Sequence, residues 1–324
     1  MFRWSSLPKP IVCLSPMADM TDSAFCQVVR EVTATSSDRP SDLIVFREMV
    51  SSEAVVRGSE KTLDMTDIHP AERPLVQQLF GSDPKIMAEA AQKIAAEHHP
   101  EGFDINMGCP VYKIVHNFNG AALMKEPDLA AEIVREMKKV ISVPLSVKIR
   151  LGWSDPTDCQ TFAQVLEATG ADLITIHGRT KTQGYSGTAD WHAVGEVKKR
   201  VSIPVLVNGD IHKPELVREA LEQSQADGVL IARGALGNPW FFAQYHAIQS
   251  GKEPYLPTLA ERIAVVKRHL DLHLAQYGDG AVSTFRKHLS WYFKGIPHFK
   301  PHKEAIMTAK TKEELVALLD RIIQ

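Results

Sequence analysis

The run Asn106-Met107-Gly108-Cys109-Pro110 places a thiol just past an apolar segment, in a loop bounded by glycine and proline. A thiol in such a loop can attack as a thiolate or, kept protonated, can donate a proton. No cation stands immediately beside Cys109 in sequence, and a cysteine thiol is ordinarily protonated at neutral pH. The chemistry expected of Cys109 is therefore that of a general acid. The competing reading is a small buried hydrophobe, the commoner fate of a lone cysteine. His177, in His177-Gly178-Arg179, is the other candidate acid, although a lone histidine is often structural. Lys148 is the third chemical residue. In Leu145-Ser146-Val147-Lys148-Ile149-Arg150 side chains alternate between faces, so Val147 and Ile149 on one side send Ser146, Lys148 and Arg150 to the other. A cation buried there needs an anion or a strong acceptor. A pair with Glu48 or Asp104 would serve. So would the edge of a flavin, whose N1–C2=O region gains negative charge on reduction.

These residues share one position, each at the end of a short β-rich run. Strands are expected at Ile11–Leu14, Leu43–Phe46, Leu75–Leu79, Phe103–Asn106, Leu145–Ile149, Leu173–Ile176, Val205–Asn208 and Gly228–Ile231. Helical patterns separate them: Asp83-Pro84 opens one, Pro127 and Pro214 open two more over Leu129–Val140 and Glu215–Leu221. Eight strands alternating with helices predict a (β/α)8 TIM barrel, whose catalytic residues gather at the C-terminal ends of the strands. Polar residues do follow each run: Ser15-Pro16-Met17, Arg47-Glu48, Gln77-Gln78, Asn106 to Cys109, Lys148 and Arg150, His177 and Arg179, Asn208-Gly209-Asp210, and Arg233-Gly234. Phosphate in barrels commonly sits on the loops after strands seven and eight. Here those loops offer Asn208-Gly209-Asp210 and Ala232-Arg233-Gly234, with Asn238-Pro239 expected to start a helix. A phosphate barrel without redox chemistry would show the same feature.

Alternation stops after the eighth strand. From Leu259 the pattern is helical, and Glu314–Ile323 closes the chain as a second apolar helix. The expected division is a catalytic barrel over 1–245 and a small all-helical domain over 246–324. From Phe241 onward there are 12 lysines and arginines against 8 acids, so the last stretch is mildly basic although the whole carries a net charge of −2. A polyanionic partner and a solvated helical surface both fit that balance. Four scattered cysteines with no C-x-x-C pair speak against a zinc site and a disulfide framework, and no metal is expected. No basic-then-apolar leader and no membrane-length apolar run are present, so a cytoplasmic protein is expected.

From Leu14 to about Phe242 the sequence resembles the tRNA-dihydrouridine synthase family. The resemblance rests on Ser15-Pro16-Met17-Ala18 with Thr21-Asp22, Gln78-Leu79-Phe80-Gly81, Asn106 to Pro110, Val147 to Arg150, and Ile176 to Arg179. Asn208-Gly209-Asp210-Ile211 and Arg233-Gly234 with Asn238-Pro239-Trp240 extend it, and Arg286-Lys287-His288 with Trp291-Tyr292 and Lys294-Gly295 resembles the family's helical tail more weakly. Asp19 and Cys26 depart from the expected Gly and Arg, and Ala232 from a frequent Gly. The resemblance implies reduction of the uracil C5–C6 bond in tRNA, with FMN as hydride carrier and NADPH as reductant. It makes Cys109 the acid at C5, and puts Pro16, Met17 and Ala18 against the flavin ring with Gln78 and Lys148 at its polar edge. Asn208, Gly209, Asp210, Ala232 and Arg233 would hold ribityl and phosphate, with His177 facing flavin or uracil. Asn106, Arg150 and Arg179 are then expected on the substrate side.

A stacked uridine must be extruded to reach a barrel mouth, at a cost of a few kcal/mol, and a basic tail could supply compensating affinity. Arg286, Lys287 and Lys294, beside Trp291, Tyr292 and Phe293, are the tRNA-binding candidates; core aromatics with merely solvated cations are the alternative. No G-x-G-x-x-G occurs, so NADPH is expected to visit the flavin in turn with substrate, and a monomer is expected. The rival functions are a flavin barrel acting on a free metabolite, a flavin-free phosphate barrel, and an RNA chaperone.

Overall fold

A computed structural model describes residues 2–39, 42–115 and 119–323. Eight parallel strands close on themselves in sequence order: β1 (Ile11–Leu14), β2 (Leu43–Ser51), β3 (Leu75–Phe80), β4 (Gly102–Met107), β5 (Leu145–Arg150), β6 (Leu173–His177), β7 (Val205–Asn208) and β8 (Gly228–Ile231). β1, β7 and β8 have the bounds their composition predicts. β2 runs five residues further than expected. Arg47 and Glu48 lie inside it, because the Arg47 guanidinium, 1% exposed, meets Glu72 at 2.8 Å and donates to the carbonyls of Met65 and Asp67. Register shifts between Arg47 and Val50, a bulge after which β2 resumes its ladder to β3 at Val50 and Ser51.

Alternation along the strands builds two cores. Outward residues such as Val147, Ile149, Ile174 and Val207 pack on the surrounding helices. Inward residues Ile11, Cys13, Ile44, Phe46, Val76, Leu173, Leu206 and Leu230 fill the barrel with Trp4, which stacks on Phe46 at 5.9 Å. Above this apolar layer the inward positions turn polar: Gln78, Asp104, Asn106, Ser146, Lys148, Thr175, His177 and Asn208. The layering follows from sequence period alone. β3, β6 and β7 carry an apolar inward residue first and a polar one last, whereas the inward side chains of β4 and β5 are polar throughout.

The helices start where their caps predict. Asp83 accepts the N–H groups of Lys85 and Ile86 with Pro84 in the first turn, and Asp22 accepts the N–H of Phe25 to open Ser23–Ser36. One helix comes later than expected: it begins at Phe241, not at Asn238-Pro239, which lie in the preceding turn. This helix, Phe241–Gln249, spans the expected boundary at 245/246. Beyond it, Leu259–Tyr277, Val282–Tyr292, Lys303–Thr308 and Lys312–Ile323 share a separate apolar cluster from Ile263 to Ile322. That cluster rests on the barrel at Gly237. A Cβ there would lie 2.2 Å from the Trp291 carbonyl oxygen, and its φ of +70° already excludes most side chains. No helix of the described residues is long and apolar enough to cross a membrane.

Candidate active site

Parallel register places the chemical residues side by side. Asn106 pairs with Lys148, Arg150 with His177, and His177 with Asn208, so β4 to β7 present one polar row at their C-terminal ends. Above that row lies an open cavity of about 590 Å³, lined by Pro16, Met17, Lys148, His177, Asn208, Gly209, Asp210, Ala232 and Arg233 among others. Nine of the eleven residues expected at a cofactor therefore share one wall. The helical segment supplies another part, with Arg262, Trp291, Tyr292 and Lys294.

Lys148 makes neither ion pair anticipated for it. Asp104 accepts from Gln78 Nε2 and Ser146 Oγ, both at 2.6 Å, and Glu48 accepts the Asp19 N–H. The ammonium has no hydrogen bond or ion pair among the described residues. Burial, with Arg150 nearby, lowers its pKa to about 8, which leaves it about ten to one protonated at pH 7. It is an unmatched cation directed at a cavity. His177 is the opposite case: burial, then Lys148, Arg150, Arg179 and Arg233, push its pKa down to about 2. Arg179 Nη1 lies 3.3 Å from His177 Nε2. Arginine can only donate, so Nε2 accepts and Nδ1 carries the proton. A neutral imidazole of this kind orients a ligand but has no imidazolium proton to give.

Cys109 is half-buried and is not among the residues that line the cavity, but it lies close enough to Lys148 to interact with it electrostatically. A chain of hydrogen bonds fixes its loop. The buried Asp104 carboxylate holds Gln78, Gln78 Oε1 accepts Asn106 Nδ2 at 3.0 Å, and Asn106 Oδ1 accepts the N–H groups of Gly108 and Cys109 at 3.1 and 2.9 Å. Arg150 Nε closes the loop from the other side on the Gly108 carbonyl. Sequence thus gives Gln78 and Asn106 as ligand contacts, but the structure uses both amides to hold the thiol's backbone. Desolvation raises the Asp104 pKa to about 6. A folded value above the unfolded one means stability falls as pH rises from about 4 to about 6 and is level outside that window. Asp104→Asn removes this titration, so its unfolding free energy relative to wild type should rise across the same window; a pH-independent difference in urea unfolding would refute the assignment.

Other expected contacts fall elsewhere. Ala18 is exposed and off the cavity wall. The Arg150 guanidinium is 2% exposed and bonded to the carbonyls of Gly108, Thr180 and Gly184; Arg179 is bonded to Asp210 at 2.6 and 3.0 Å and to the carbonyls of Ser186 and Gly187. Both pin the loop after β6, and neither is among the residues that line the cavity. Arg286 donates to the Ala309 carbonyl inside the helical segment, and Lys287 is half-buried off the cavity wall; of the three tail cations only Lys294 lines the cavity, over the Trp291 ring at 5.3 Å.

Sequence reading also passed over Tyr185. It is 62% exposed at the cavity mouth, with the Arg233 and Arg150 guanidinium carbons 5.3 and 5.7 Å from its ring centre. The signal was there: an aromatic between Gly184 and Gly187, in the loop after a barrel strand. Gly209 (φ +111°), also on the cavity wall, packs tightly against His177. A Cβ would lie 2.8 Å from Ala189 Cβ and 2.9 Å from His177 Cδ2. Gly209→Ala should cost about 1–3 kcal/mol, read as a lower urea midpoint; an unchanged midpoint would mean the loop relaxes freely.

The residues fit a flavin mononucleotide. The volume is that of a cofactor site, Pro16 and Met17 give an apolar face, the unmatched Lys148 suits an electron-rich edge, and Gly209 with Arg233 suits a phosphate.

A family profile described as Dihydrouridine synthase matches residues 13–324. A probable tRNA-dihydrouridine synthase of Rickettsia bellii is 35% identical over 317 residues, 97% of this chain and 94% of the relative. One from Rhodobacter capsulatus is 38% identical over 313 residues, 96% and 94% of the two chains. Among solved structures, the old yellow enzyme homologue from Zymomonas mobilis (11% identity, TM-score 0.53, 81% of this chain and 94% of that one) shares the barrel fold. So does histamine dehydrogenase from Rhizobium sp. 4-9 (12% identity, TM-score 0.57, 81% and 49%). With the profile spanning the barrel and the helical segment alike, the chain belongs to the dihydrouridine synthase family.

Proposed function

We propose that this protein is a tRNA-dihydrouridine synthase that binds FMN in the barrel cavity and reduces the C5–C6 double bond of a uridine in tRNA, with NADPH as reductant. Reduced FMN, when bound, supplies hydride to C6. The chain's own residues do the rest. Lys148 places positive charge at the polar edge of the ring. Gly209 and Arg233 take the phosphate, and neutral His177 offers Nδ1–H to flavin or uracil. The Cys109 thiol gives its proton to C5, so one hydride and one proton saturate the bond and leave the thiolate to be reprotonated from solvent. The reading rests above all on one observation: Asn106 and Lys148 are register partners, so the thiol loop and the unmatched ammonium stand together at one end of the barrel.

The uridine must leave its stack to reach that point. Tyr185 provides an exposed face for stacking, and Lys294 over Trp291 provides a cation for the tRNA backbone. The test is turnover by the purified chain on unmodified tRNA with NADPH, scored by a two-hydrogen mass gain on uridine. Gain on tRNA but not on free uracil or dihydroorotate supports the proposal. Turnover on the free bases alone would replace it with a metabolite oxidoreductase, and a preparation lacking flavin absorption would remove the redox chemistry altogether.

A further inference from the structure

We propose that Asp22, His269 and His288 bind a single divalent ion of the zinc class, buried where the helical segment meets the barrel rim. The three come from three elements. Asp22 precedes the helix Ser23–Ser36, His269 lies on Leu259–Tyr277, and His288 lies on Val282–Tyr292. All are at most 1% exposed. Asp22 uses one oxygen, Oδ1, to cap its helix at 2.9 Å; the other, Oδ2, makes no hydrogen bond of normal length, with His273 Nδ1 3.7 Å away and the Tyr277 hydroxyl interacting with the same carboxylate. His269 Nε2 and His288 Nε2 are without hydrogen-bond partners. One ligand atom from each residue lies within 4.8 Å of those of the other two. Buried polar atoms are nearly always satisfied, so three orphans facing one another mark a place for something that accepts lone pairs.

The surroundings suit a metal. His269 Nδ1 is 3.1 Å from the Tyr292 hydroxyl, an outer bond of the kind that aims the other ring nitrogen of a ligating histidine. His273, one turn along the same helix, lies outside the three-residue cluster but adjoins it: its Nδ1 is also buried without a hydrogen bond and lies 3.7 Å from Asp22 Oδ2, while Nε2 meets the Thr284 hydroxyl at 2.8 Å. Imidazoles with one carboxylate form a zinc ligand set, and ligand atoms about 3.3 Å apart around a tetrahedral ion require separations of up to 4.8 Å to close by at most about 1.5 Å. Cysteine spacing could not announce such a site, because it is assembled from two histidine helices and a cap residue far away in sequence. Tyr292, which holds His269, also lines the cavity, so an ion here would brace that wall.

The test uses the full chain, freed of any affinity tag and stripped by a chelator. Zinc and cobalt(II) are then added while metal content, visible absorption and thermal midpoint are recorded. About one ion per chain is expected, with the intense cobalt bands of a tetrahedral site and a midpoint that falls on chelation. Stoichiometry should drop in His288→Gln and Asp22→Asn. Should those variants fail to fold, the wild-type cobalt spectrum and chelation shift decide the matter alone. No bound ion, or a midpoint indifferent to chelator, would overturn the proposal and leave a proton or a buried water among the histidines. None of these readings depends on turnover, so the metal proposal and the proposed function can fail separately.

Discussion

Cys109→Ala is expected to lower dihydrouridine formation by about 10²–10⁴-fold, the usual contribution of a positioned general acid, while flavin content and tRNA binding stay as in wild type. The reasoning is geometric. The thiol stands at the end of β4 beside Lys148, and its loop is fixed by Asn106 on one side and Arg150 on the other. Alanine removes only Sγ, because the bonds that hold the loop come from main-chain N–H and C=O groups. His177 cannot take over, since its imidazole is neutral far below physiological pH. The measurement is single-turnover: reduce the flavin first, then mix with tRNA and follow both flavin reoxidation and product mass. Wild-type rates in the variant would remove Cys109 from the chemistry and return it to the role of a small loop residue.

The legible part of this site was its position, and the illegible part was its wiring. Apolar runs ending in polar residues identify both the eight strands and the end of the barrel at which chemistry collects, because period-two alternation and strand termini are local properties of sequence. Which polar side chain is free is not local. Arg150 and Arg179 look in sequence like substrate-binding cations, yet their guanidinium groups are occupied by carbonyls and by Asp210, partners up to 42 residues away. Arg47 looked like the polar end of a short strand and instead lengthens that strand, because Glu72 neutralises it. Lys148 is the converse. Sequence left open a pair with Glu48 or Asp104, and only the placement of Ser146, Gln78 and the Asp19 N–H around those carboxylates leaves the ammonium without one. The tail followed the same pattern. Its first and last helices were legible from period 3.6 while Val282–Tyr292 and Lys303–Thr308 were not, and which of Arg286, Lys287 and Lys294 meets the cavity depends on how the helical segment sits against Gly237.

That unmatched ammonium leads to the second large effect. Lys148→Met keeps the length and apolar stem of the side chain and deletes the charge, so its consequences are electrostatic rather than steric. The cation is half-buried and makes no ion pair among the described residues, so its charge contributes little to stability, and the variant should therefore be no less stable than wild type in urea. Function should move the other way. Loss of one preorganised charge at a site of developing negative charge commonly costs about 10²–10³ in rate, and flavin retention through gel filtration should fall as well. Together these outcomes separate a functional cation from a structural one. A structural Lys148 would lose stability on replacement and leave flavin reduction by NADPH at its wild-type rate, whereas a cofactor-facing Lys148 does neither. Because desolvation, with Arg150 nearby, lowers the Lys148 pKa to about 8, the flavin reduction rate should also fall in wild type as pH rises through about 8, and that limb should vanish in the variant. A pH profile identical in the two proteins would detach Lys148 from the cavity's chemistry even if the rate were lower.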